Sequence, residues 1–215
     1  MTRKHRASVD GSTYPHPVDL TVDAFHALAR SSPWRWRSLH FLATGEAWEV
    51  EAWVVRPGWQ LVRDHAREHV TDEGSRAVVD EAPTYRADGL VAKRPWAPVH
   101  NAFDDPMWPG AGYDWVAMLD PQELSHDVTV AELRQDELAG RETWRATVRA
   151  AEGYEARCPD CCDLLLGGFA QRLPYDVSLD VGTGVLVQLR ALAGDRDRWL
   201  RNEIIAVDHD VVVPD

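Results

Sequence analysis

Cysteine is nearly absent: the 215 residues hold three, Cys158, Cys161 and Cys162, all inside the stretch RCPDCC. A disulfide framework therefore does not organise the chain, and a sequence of this length is able to bury a core without one. Lysine is scarcer still, with Lys4 and Lys93 alone, so nearly all positive charge is arginine, a coding bias rather than a functional mark. Acidic side chains outnumber basic ones by 35 to 23, for a net charge of −12. That balance excludes a sequence-independent nucleic-acid binder, which needs a basic face to displace counterions from phosphates, and it disfavours anionic membrane surfaces. No run approaches the ~18 apolar residues of a membrane-spanning helix. The opening MTRKHRASVDGSTYPHPVDL lacks the apolar stretch of about 7 to 15 residues that a secretory signal carries. As given, the chain reads as cytoplasmic with reduced thiols, and as extracytoplasmic if a leader has been removed. A G-x-S-x-G nucleophile elbow is also missing.

What is present is an ordinary globular composition, 45% hydrophobic and 27% charged. Residues 1–18 carry Ser, His, Pro and charge without periodicity and read as a mobile tail, which leaves 19–215 as a single domain. Thr21 opens a short helical pattern with Phe25 and Leu28 on one face, stopped by Ser31, Ser32 and Pro33. From there the periodicity changes to two. WRWRSLHF and AWEVEAWVVRP, separated by ATGE, predict an antiparallel hairpin in which Trp48, Val50, Ala52 and Val54 share a face. WQLVRDHAREHV and SRAVVDEA follow, split by TDEG, and YRADGLVA carries an Asp-Gly turn signal. Lys93 to Asp120 reads as irregular, after which Asp120, Pro121 and Glu123 form a D-x-x-E helix start. AELRQDELAG is ambiguous between helix and strand. Trp144, Ala146 and Val148 alternate with polar residues, as do Tyr175, Val177, Leu179 and Val181, and Val185, Val187 and Leu189 continue past a GTG turn before WLRNEIIAV returns. Short alternating runs joined by tight turns, with few helices, predict an α+β, mainly β fold built on one curved antiparallel sheet.

The candidate chemistry is sparse. Cys158-x-x-Cys161 has the spacing at which two thiolates in a tight turn reach one tetrahedral zinc ion, and Cys162 supplies a third sulfur. With no second CxxC, a histidine or Asp160 must complete such a shell. The same residues also fit a redox pair, a structural disulfide or plain apolar packing beside LLLGGF, and these readings stay open. HAREH, His65 to His69, matches H-x-x-E-H, but in a strand-rich stretch Arg67 falls between the two histidines, so a solvated face is expected. His100, Asp104 and Asp105 supply acid-base residue types within what reads as turn chemistry. Gly182 to Gly184 reads as a hairpin turn rather than a phosphate loop, since no helix start follows. Arg35 and Arg37, interleaved with Trp34 and Trp36, read as cross-strand partners of Glu49 and Glu51 rather than as an anion site. Tryptophan is abundant, with ten against five tyrosines and four phenylalanines. Each offers a broad apolar body and one N–H, which suits a core, a cavity wall or an interface.

In this order, AWVVRPGWQLV, AMLDPQELS, AGRETWRATV and YDVSLDVGTGVLVQLRAL resemble the lipoprotein-carrier superfamily, the LolA-like fold shared with RseB-type regulators and lipid-carrying bacterial lipoproteins. The resemblance runs from about Thr21 to Asp208. It implies an open half-barrel folded around an apolar cavity, with a few short helices at the mouth. Joined to the tryptophan content, it predicts a non-enzymatic binding module whose concave face, lined by Trp36, Trp48, Trp53 and Trp144, holds a hydrophobic small molecule such as a lipid or acyl chain. A second expectation is a cytoplasmic protein-interaction or regulatory domain whose core is filled by its own side chains. A third is a zinc-binding protein or enzyme built on Cys158, Cys161 and Cys162.

Overall fold

The computed structural model describes residues 19–72, 82–95, 114–156, 164–165, 172–193 and 198–214. A first meander consists of β1 (Ser38–Gly45), β2 (Trp48–Val55), β3 (Trp59–Arg63) and β4 (Glu68–Asp72). A small separate hairpin, β5 (Thr84–Tyr85) and β6 (Val91–Lys93), turns at the expected Asp88-Gly89. The second meander is β7 (Val128–Leu138), β8 (Arg141–Ala150), β9 (Pro174–Asp180), β10 (Leu186–Ala191) and β11 (Trp199–Val207). The two meanders join through an antiparallel β1–β11 pairing into one nine-stranded sheet, ordered β4-β3-β2-β1-β11-β10-β9-β8-β7. With 49% strand and 16% helix, the fold is mainly β, and the curved sheet does not close into a barrel.

Alternation decides which face is apolar. Leu39, Phe41 and Ala43 of β1, Val50, Ala52 and Val54 of β2, and Trp144, Ala146 and Val148 of β8 are buried on the inner face. Helix α1 (Val22–Ala29), capped by the Thr21 hydroxyl accepting from the Ala24 N–H at 3.1 Å, adds Phe25 and Leu28 to that side. Helix α2 (Asp114–Leu119) adds Trp115, Met118 and Leu119.

The topology explains why α2 lies there. Because β1 and β11 pair in the middle, the sheet's two edges are β4 and β7, which are consecutive main-sheet strands in the chain. The connection from Asp72 to Val128 must pass from one edge to the other, and its helix α2 packs on β10 and β11 at the centre.

Local chemistry corrects several expectations. The strand read from Trp34 begins only at Ser38, because Ser32–Trp34, with Pro33 in its first turn, forms a 3-10 helix. Arg35 and Arg37 therefore stay out of the β1–β2 ladder. Glu51 meets His40 at 2.8 Å instead, and Arg35 donates to the carbonyls of Val181 and Gly182. WQLVRDHAREHV divides into β3 and β4 because the Asp64 carboxylate accepts from the Ala66 and Arg67 N–H groups and shapes a turn. Most of SRAVVDEA falls outside the described residues. AELRQDELAG lies largely in β7, with a bulge after Ala131 where Glu132 takes φ +53°. Asp120 does not cap the 3-10 helix Gln122–Ser125; it pairs with Arg94, while Glu123 turns inward.

The turn from β9 to β10 is the tightest junction. The buried Asp180 carboxylate accepts the Thr183 N–H and O–H, both at 2.7 Å, and two N–H groups of Arg141. Gly184 follows at φ +72°, and a Cβ there would stand 2.8 Å from the Leu28 carbonyl oxygen and 3.2 Å from the Ser32 nitrogen. Gly140, in the β7–β8 turn, has a similar φ of +75° but open space around it. Gly140→Ala should thus cost about 1 kcal/mol for backbone strain alone. Gly184→Ala should cost clearly more, because backbone must also move. Urea unfolding of both variants checks this; equal losses would show that the α1 contact carries no weight.

Candidate functional site

The expected site is the inner face, and its residues fall into two packed clusters. One gathers α1, the β8–β11 side of the sheet and Trp144; the other gathers β1, β2, Trp36, Trp115 and Leu119. Trp36 sits in the second, 4% exposed, with its Nε1–H donated to the Ser32 hydroxyl at 3.0 Å. That hydroxyl donates onward to the Leu119 carbonyl at 2.6 Å, so the ring is tied to the end of α2. The Arg56 guanidinium lies 3.5 Å over its face. Trp144 sits in the first cluster, 2% exposed, and its buried Nε1–H has no hydrogen-bond partner among the described residues.

Trp48 stands between them. It is half-buried and packs against both clusters, its ring so close to Gly45 that a Cβ there would lie 2.6 Å from ring atoms. Trp53 does not share this wall. Since Val50, Ala52 and Val54 point inward, the period of two turns Trp53 to the outer face, where it stacks on His40 with ring centroids 4.3 Å apart and a 14° interplanar angle. Sequence alternation already placed Trp53 out of phase with Trp48, and that signal was sufficient to find this.

The outer face is polar and internally paired. Arg145 chelates Asp176 at 2.6 and 2.8 Å and reaches Asp136 at 3.0 Å, which raises the arginine's pKa, while Gln188 adds a bond to Asp176. Near the other end of the fold, Glu123 is 1% exposed and one of its oxygens accepts both the Tyr154 O–H and the Leu164 N–H. It thereby ties together Tyr154 and Leu164, which flank the cysteine stretch. Cys158, Cys161 and Cys162 themselves lie outside the described residues, as do His100, Asp104 and Asp105. Among the described residues, no group of three or more His, Cys, Asp or Glu side chains has metal-binding geometry. His65 is exposed in the Asp64 turn while His69 lies in β4, bonded to Thr71, so the two do not share a helix face. None of the described helices is long and apolar enough to cross a membrane.

No protein-family model and no curated protein matches the chain. Among the solved structures similar to it are the following. The crystal structure of MucB shares 16% identity at a TM-score of 0.35, over 90% of this chain and 59% of that one. LprF from Mycobacterium bovis shares 11% at 0.41, over 91% and 97% of the two chains. The Pseudomonas aeruginosa MucA/MucB complex shares 14% at 0.31, over 87% and 56%. The chain thus spans little more than half the length of the MucB chains.

Among the described residues with a shifted pKa, one titrates near neutral pH. His26, in the last turn of α1, has a buried Nε2 with no hydrogen-bond partner among the described residues, and burial followed by the Arg30 charge holds its pKa below 6.5. The unfolded chain therefore binds this proton more readily than the folded one. The stability it confers is present above about pH 6.5 and is lost as pH falls toward the depressed folded value. The melting temperature should drop between pH 7.5 and 5.5, and His26→Gln should flatten that slope. An unchanged slope in the variant would place the pH dependence elsewhere.

Proposed function

We propose that this chain is a non-enzymatic binding module of the second expected kind: its apolar face is filled from within, and its outer surface serves a protein partner. The observation that carries this reading is α2 on the inner face, where Trp115, Val116, Ala117, Met118 and Leu119 are all buried against the sheet or its clusters. Exposing those five side chains would cost roughly 10 kcal/mol, at about 2 kcal/mol each. A ligand that displaced them would recover that only by burying about a dozen methylenes, at ~0.8 kcal/mol per CH₂. An acyl chain of common length would gain little net affinity.

A hydrophobic ligand remains the second reading, favoured by one feature. The inner face carries two clusters rather than one continuous core, and they meet at the half-buried ring of Trp48. A slender apolar chain lodged between them would lie against that ring without displacing all of α2.

Native mass spectrometry of protein purified without detergent or chelator separates the two, supported by titration with the fluorescent fatty acid cis-parinaric acid. The expected result is the bare polypeptide mass or a protein complex, with no saturable parinarate signal. A removable lipid-sized adduct, with saturable uptake lost in Trp48→Ala, would overturn the first reading and support the second. A zinc-sized adduct that disappears in the Cys158→Ser/Cys161→Ser double variant would assign the cysteine cluster to metal.

A further inference from the structure

A cleft of about 260 Å³ opens between the β5–β6 hairpin, the Ser31–Arg35 connection and the β9–β10 turn. Its walls include Trp34, Arg35, Tyr85, Gly89, Val91 and Gly182. The floor is fixed, because the Ser31 hydroxyl accepts the Val91 N–H at 2.8 Å and donates to the Ala27 carbonyl at 2.6 Å. Arg35 is equally fixed: its Nε donates to the Gly182 carbonyl at 3.0 Å and one Nη to the Val181 carbonyl at 2.8 Å. Among the described residues, the remaining Nη makes no hydrogen bond and Arg35 forms no ion pair.

The carboxylates nearest in electrostatic terms, Asp180 and Asp88, are already committed. Asp180 serves Arg141 and Thr183, and Asp88 serves Arg86 and the Leu90 N–H. Arg35 is thus a partly desolvated cation whose cost of burial these two carboxylates offset only in part, and burial lowers its pKa accordingly. Outside the lining itself, Arg30 donates its Nε to the Val91 carbonyl at 2.7 Å and likewise forms no ion pair among the described residues. In a chain of net charge −12, two such arginines around one hairpin make a local positive field. The aromatic walls add flat apolar surface, with Tyr85 56% exposed at the rim.

We propose that this cleft binds a carboxylate carried on a flat aromatic body, the carboxylate against the free edge of Arg35 and the ring against Trp34 and Tyr85. A fixed guanidinium forms charge-assisted hydrogen bonds to a carboxylate, and the aromatic faces select a planar group beside it. The ligand is either a small free acid or an acidic side chain next to an aromatic one on a protein. None of the inner-face tryptophans lines the cleft, so the outcome here is independent of how the inner face is filled.

The test is a ¹H–¹⁵N NMR titration of the full chain with sodium benzoate, with benzamide as the neutral isostere and acetyl-Phe-Glu-Phe-amide as the peptide probe. The expected result is saturable, salt-sensitive shifts at the Arg35 Nε and the Gly89 and Gly182 amides, with benzoate at least about tenfold tighter than benzamide. Tyr85→Ala, at an exposed position, should keep the fold and weaken benzoate about threefold or more. Arg35→Gln should abolish the response, with its melting curve recorded because Arg35 also holds the β9–β10 turn. Tighter binding of the peptide than of benzoate points to a protein side chain, and the reverse to a small acid; either supports the site. Equal responses to benzoate and benzamide, the absence of saturable shifts, or an unaltered Tyr85→Ala affinity would overturn it.

Discussion

The buried carboxylate of Asp180 is the point at which the parts of this fold are fastened together. It is 1% exposed and holds four donors, two from Arg141 of β8 and two from Thr183. A carboxylate is withdrawn from water only where such a set of hydrogen bonds replaces its hydration. The turn it shapes presents the Val181 and Gly182 carbonyls to Arg35 and seats Gly184 against the end of α1. Helix α1, strand β8, the β9–β10 hairpin and the connection into β1 are thereby registered against one side chain. The candidate anion cleft is a by-product of the same junction, because the arginine that clamps the turn keeps one edge of its guanidinium free.

The second constraint is topological. Pairing the first and last strands at the centre of the sheet sends the middle of the chain across the inner face, and that segment brings its own apolar helix. An open curved sheet would otherwise expose a large apolar surface, which soluble proteins rarely leave uncovered. Filling it from within converts a shape suited to holding a ligand into a packed interior. On the reading proposed above, function moves toward the outer face, the turns and the clefts at their junctions.

Much of the sheet was legible in the sequence. The alternation in β2, β8, β9 and β10 fixed both the strands and their buried faces, and the Asp-Gly and GTG turns fell where their residues demanded left-handed backbone. Helix α2 was not legible, because six residues with five buried side chains show no amphipathic period. Asp120 and Glu123 had the spacing of a capping box, yet tertiary partners took both carboxylates: Arg94 for one, Tyr154 and Leu164 for the other. β7 was ambiguous because both of its faces carry charge, as suits an edge strand blunted against further pairing.

By itself the sequence determined a mainly β chain with one apolar face, since a period of two is a property of the strand and is written residue by residue. It likewise determined the tight turns, whose backbone angles only a few residue types accept. Only the tertiary structure decided what covers the apolar face and where each isolated charge finds its partner. Those outcomes depend on residues distant in the chain: Ser32 with Leu119, Arg94 with Asp120, Arg35 with Gly182. Arg35 shows the difference most plainly. Its sequence neighbours suggested a cross-strand ion pair with glutamate, whereas the turn at Pro33 removed it from the ladder and left it facing a cleft, where it meets carbonyl oxygens and, among the described residues, no direct ion-pair partner.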